Sequence, residues 1–137
     1  MADPIRIGFV LRFWLWSLAL HSVAVGLGLI WHPAALLGKL GYIPCSEPFF
    51  PVQGGVFHIV MAVGYSMAAW DPLRFRCLVV FAIVVKVLAT IFLIIYWIMN
   101  LSLQVVLLSG LADGAMALVL VVLYRRWCMT QLAKEQS

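Results

Sequence analysis

Four stretches of this chain are apolar with almost no polar interruption, and each is about as long as a bilayer core is thick. A membrane-crossing helix needs about 20 mostly apolar residues. The stretches run over about 11–31, 52–70, 77–97 and 101–124. They predict an all-α integral membrane four-helix bundle, a single transmembrane domain filling residues 1–137.

Proline marks the breaks. His32-Pro33 ends the first segment and Asp71-Pro72 the second, because the residue before a proline is pushed out of helical geometry. The outer loop, 32–51, holds four of the six prolines. Within it, residues 34–43 read as a short interfacial helix presenting Leu36, Leu37 and Leu40. Only a few residues around Met99 and Asn100 separate the last two segments, so those helices are expected to be antiparallel neighbours. The first apolar run exceeds the ~7–15 residues of a signal-peptide core, and no small-residue cleavage pattern follows it. It is therefore read as a retained helix.

Composition strengthens this picture. Hydrophobic residues make up 66% of the chain and charged residues 10%, against about 45–50% and 25% in an ordinary soluble domain. A soluble fold and a disordered chain are both excluded. The nine basic residues stand singly or in pairs, which argues against nucleic acid as a partner. The net charge of +4 reads instead as a topology signal. Arg6 and Arg12 precede the first segment, Arg74 and Arg76 separate the second and third, and Arg125, Arg126 and Lys134 follow the fourth; Lys39 alone faces the other way. Cytoplasmic flanks are enriched in Lys and Arg, so both termini are expected inside a bacterial inner (plasma) membrane. Tryptophans favour the headgroup level: Trp14, Trp16, Trp70 and Trp127 fall near the inner surface, Trp31 and Trp97 near the outer, and Tyr65 is an exception. Cys45 falls outside while Cys77 and Cys128 fall inside, which gives no disulfide framework.

Each apolar segment carries one ionisable residue: His21, His58, Lys86 and Asp113. Such groups are expensive in hydrocarbon and usually face a protein interior or a polar cavity. At ~1.5 Å of rise per residue all four fall in one slab near mid-membrane, roughly 13–18 Å from the inner side. The same kind of face recurs on each helix: Ser17, Ala24 and Gly28 align with His21; Gly54, Met61 and Tyr65 with His58; Ala82, Ala89 and Thr90 with Lys86; Gly110, Gly114 and Ala117 with Asp113. Gly110 and Gly114 form a GxxxG spacing, which lets membrane helices approach closely. Lys86 and Asp113 are expected to pair across the third and fourth helices, with His58, His21 and Tyr65 nearby. Such a pair either fixes helix register or organises a cavity for a ligand or a proton relay.

Gln53-Gly54-Gly55 opens the second segment, where a helix N-terminus attracts anions, and suggests a pocket between Gln53, His58 and Gln104. Haem held by His21 and His58 is disfavoured, and no metal-ligand spacing is present.

Several short motifs resemble small four-helix bacterial membrane proteins of the broad DoxX-like group. They are His32-Pro33, Leu40-Gly41-Tyr42, Phe49-Phe50, Gly64-Tyr65, Trp70-Asp71-Pro72-Leu73-Arg74, Lys86-Val87-Leu88 and Asp113. The resemblance implies a compact membrane bundle with Lys86 and Asp113 at matching polar positions, and a link to quinone-linked oxidoreductase complexes. This chain departs from the group in having few acidic residues near the second helix. The functional expectation is a small binding or accessory subunit with a buried charged cavity for lipid or quinone, working as a homo-oligomer or with other membrane subunits. The alternatives are a membrane-embedded isomerase or quinone-linked oxidoreductase, and a small dimeric transporter.

Overall fold

The computed structural model describes residues 4–31, 38–39, 47–101 and 104–135. These residues form four long helices and no strand: α1 (Pro4–Trp31), α2 (Phe49–Trp70), α3 (Arg76–Met99) and α4 (Gln104–Glu135). Each is long and apolar enough to cross a membrane. Apart from Gly38 and Lys39, the expected interfacial helix at 34–43 lies outside the described residues, as does Cys45.

Two boundaries correct the sequence reading. α1 begins at Pro4 rather than near Leu11, and α4 continues past Tyr124 to Glu135. Hydropathy marks the part of a helix suited to lipid, whereas the helix itself continues for as long as propensity and packing support it. Proline in the first turn sacrifices no hydrogen bond, since that N–H has no partner within the helix. The two extensions also pack on each other. Trp127, only 5% exposed, lies over Gly8, where an added Cβ would sit 3.6 Å from the indole nitrogen. Its ring stacks on Tyr124 at 6.0 Å between centroids.

The turns are short and satisfied locally. Asp71 leaves α2 in an extended conformation, and its Oδ1 accepts hydrogen bonds from the backbone N–H of Leu73 (3.0 Å) and Arg74 (3.1 Å). This turn redirects the chain into α3. Asn100 closes α3 by donating its backbone N–H to the Trp97 carbonyl and its side-chain amide to the Tyr96 carbonyl, both at 3.0 Å.

The helices form a ring in which α1 touches α2 and α4, and α3 touches α4 and α2. Contact is richest within the α1–α2 and α3–α4 hairpins, and loosest between α2 and α3. Glycine sets both hairpins. A Cβ on Gly26 would stand 2.8 Å from the Gly55 carbonyl oxygen, and one on Gly55 would stand 2.6 Å from the Gly26 carbonyl oxygen. The two backbones therefore touch. In the other hairpin a Cβ on Gly110 would meet Leu93 at 3.1 Å and one on Gly114 would meet Thr90 at 3.2 Å, so the GxxxG face lies against α3. The sequence reading placed Gly28 and Gly54 on the contact stripes. Gly28 instead faces open space, and Gly54 has only a loose neighbour in Leu29, because α1 is rotated to bring Gly26 onto Gly55.

The apolar core occupies one half of the bundle. Leu11, Leu15, Leu18 and Ala19 pack with Tyr65, Ala68, Ala69, Val79, Ala82, Leu120 and Trp127. All lie toward the end that holds the start of α1, the 71–75 turn and the end of α4. In the other half each hairpin stays closed upon itself while the two hairpins part. Large apolar side chains such as Leu20, Val63, Leu88, Phe92 and Leu118 cover the outside.

The tryptophans divide accordingly. Trp16, Trp31 and Trp70 are exposed, as interfacial residues would be. Trp127 is buried, and Trp14 donates its indole N–H to the Met116 carbonyl at 3.3 Å. These two, expected near the inner surface, pack between α1 and α4.

Candidate functional site

Where the hairpins part, a cleft of about 440 Å³ opens, lined by His21, Val25 and Leu29 of α1, His58 of α2, Leu93 of α3, and Val105, Leu108, Ser109, Ala112 and Asp113 of α4. The order of residues along the helices fixes its shape. His21 stands one turn beyond Leu18, and Asp113 two turns beyond Leu120, so these polar groups lie where the packed half ends. His58 joins them two turns from Tyr65, and the rest of the lining runs toward the opposite end and is apolar except for Ser109. Leu108, Ser109 and Ala112 are exposed, which leaves the cleft open between α1 and α4.

Lys86 and Asp113 close the inner end. Lys86 Nζ donates to Asp113 Oδ1 at 2.5 Å, and the two residues are only 3% and 8% exposed. Asp113 faces the cleft, while Lys86 stands behind it and is not among the lining residues. Close approach of α3 and α4 makes this possible. Ala82 and Ala117 are buried one turn from the charged residues, and Gly110 and Gly114 bring the α3 backbone near enough for a lysine to reach its partner without bending outward. Thr90 supports the arrangement by donating its hydroxyl to the Lys86 carbonyl at 2.8 Å while its methyl packs on Gly114.

The two imidazoles differ from this satisfied pair. Both lie within electrostatic reach of Lys86 and Asp113. The Nδ1 atoms of His21 and His58 are shielded from solvent and have no hydrogen-bond partner among the described residues. A buried polar atom left in this way costs about 1–3 kcal/mol.

Of the other residues singled out in the sequence, Tyr65 is fully buried at 1% exposure, but in the apolar core below the pair rather than in the cleft. Gln53 is exposed and Gln104 donates its amide to the Leu101 carbonyl at 3.2 Å. Neither lines the cleft, which opens on the α1–α4 side and not at the start of α2. Ser109 and the apolar lining were not anticipated. Ser109 could have been found, since it precedes Asp113 by one helical turn on the same face. Among the described residues no group of three or more His, Cys, Asp or Glu side chains could hold a metal ion.

Set against known proteins, the chain matches no protein-family model, no curated protein and no solved structure.

Proposed function

We propose that this is a multi-pass membrane protein that binds an amphipathic ligand from the bilayer. The ligand's polar head rests on His21, His58 and Asp113, and its hydrocarbon part lies along Val25, Leu29, Leu93 and Leu108. One observation carries this reading: an apolar-walled cleft ends on two imidazoles whose shielded Nδ1 atoms have no hydrogen-bond partner among the described residues. An ion pair that served only helix register would need neither the cleft nor the histidines, because Lys86 and Asp113 already satisfy each other. A head group that exchanges hydrogen bonds with imidazole recovers the cost of those nitrogens. Lipid and isoprenoid quinone both have this head-and-tail form, and the gap between α1 and α4 gives lateral access from the membrane.

The membrane is the bacterial inner membrane, with both ends of the chain in the cytoplasm. Support comes from Arg6, Arg12, Arg74, Arg76, Arg125 and Arg126, which the alternating helices gather at one end of the bundle. The DoxX-like resemblance belongs to the same proposal. So does a role as a binding or accessory subunit, since nearly all of the described residues lie within the helices and the outer faces are apolar enough to meet another copy or another membrane subunit.

Photo-crosslinking tests the reading, with one diazirine-labelled ubiquinone analogue and one diazirine-labelled phosphatidylethanolamine as probes. At least one probe should label cleft residues in the wild type. Labelling should be lost in Ala112→Phe, which fills the cleft, and in His21→Leu/His58→Leu, which removes the polar head partners. Undiminished labelling in both variants would refute the proposal.

A further inference from the structure

At the end of the molecule away from the cleft lies a second concavity, with a different chemistry. It is a groove of about 400 Å³ formed where the first turns of α1, the 71–75 turn and the last turns of α4 meet. Ile5, Phe9 and Arg12 line it from α1, Leu73 from the turn, and Trp127 and Gln131 from α4. We infer that this groove binds the phosphate of an anionic phospholipid at Arg12, with the lipid's acyl chains running on into the bilayer over Trp16 and Leu20.

Three features point to such an occupant. The first is Arg12, an exposed guanidinium with no carboxylate partner among the described residues. Guanidinium presents paired N–H donors that match phosphate oxygens, and the Gln131 amide stands across the groove as a further donor.

The second is the surrounding field. Arg76 stacks on the Trp127 ring with its guanidinium carbon 5.7 Å from the centroid, and Arg74 lies over Phe75 at 5.5 Å. Two more positive charges are thereby held around the same turn. Asp71 is the acidic residue of that turn, and its carboxylate already accepts the backbone N–H groups of Leu73 and Arg74. Among the described residues the balance at the groove is positive.

The third is apolar. Trp16 and Leu20 follow Arg12 on the same face of α1, one and two turns farther into the span, and both are exposed. A free phosphate ion would make no contact with them. A phospholipid covers them, because its phosphate sits at the headgroup level and its chains descend from there into the bilayer. Basic pockets between membrane helices on the cytoplasmic side suit anionic head groups in this way. The site shares no residue with the cleft, so it stands or falls independently of the ligand proposed there.

Native mass spectrometry of the full chain, released from micelles doped with phosphatidylglycerol or phosphatidylcholine, tests the inference. Phosphatidylglycerol should bind saturably and in preference to phosphatidylcholine. Arg12→Gln should weaken it about five- to tenfold, while Arg12→Lys retains most of the binding. Phe9→Asp, which places a carboxylate in the groove, should abolish the preference. Arg125→Gln removes an exposed charge away from the groove and should change nothing. Three results would overturn the site: equal binding of the two lipids, equal weakening by Arg125→Gln and Arg12→Gln, or displacement of the lipid by millimolar inorganic phosphate.

Discussion

The Lys86 ammonium meets the Asp113 carboxylate at 2.5 Å, where the packed half of the bundle gives way to the cleft. Each charge depends on the other. Lys86→Met or Asp113→Leu alone leaves a buried charge without its partner and should lower stability by about 3 kcal/mol. The double variant should recover most of that loss, because an apolar pair of similar volume is tolerated where the ion pair stood. Thermal denaturation in detergent, arranged as a double-mutant cycle, measures the coupling. Additive losses would show that the two residues do not act as a pair.

Backbone contact between Gly26 and Gly55 leaves no room for a methyl group. Gly26→Ala and Gly55→Ala should each destabilise the bundle by about 1–3 kcal/mol through overpacking. Gly28→Ala, only two positions away but facing open space, is the matched control and should be neutral or slightly stabilising. The ranking can be read from melting temperatures of the three variants. If Gly28→Ala proved as harmful as Gly26→Ala, the orientation of α1 would be wrong.

Trp127 ties the end of α4 to Gly8 near the start of α1. Its replacement by alanine removes a large buried side chain and should cost about 3 kcal/mol. Protease accessibility should rise selectively beyond Tyr124, and mass mapping of the fragments would show whether cleavage concentrates there.

Cys77 is exposed in the first turn of α3, beside Arg74 and Arg76, at the end of the bundle proposed to face the cytoplasm. In a Cys45→Ser/Cys128→Ser background, a membrane-impermeant maleimide should modify Cys77 only after the cells are permeabilised. Labelling in intact cells would reverse the orientation.

Helix number and the pairing of the last two helices were legible because apolar runs of this length have few alternatives in a bilayer. Lys86 and Asp113 could be matched from sequence since each lies among alanine and glycine on its own helix. The rotation of α1 could not. Its polar residues are too few to mark a face, and the Gly26–Gly55 contact follows from the shape of both partners rather than from any periodicity along one. The cleft was legible only at its polar end. Its walls are Val and Leu, indistinguishable by composition from side chains that face lipid, and the pocket inferred around Gln53 overvalued a polar residue that points outward. Helix ends were misplaced for another reason, since hydropathy falls at Arg125 and Arg126 while the backbone continues.

The ion pair lies wholly within the α3–α4 hairpin, and the touching glycines of α1 and α2 lie wholly within the other. Membrane helices first insert and then associate. Each half of this chain therefore carries its own contacts for that second step, and the α3–α4 half neutralises its buried charges without waiting for the other. Docking of the two units then has only the smaller task of joining Trp14, Trp127 and their neighbours.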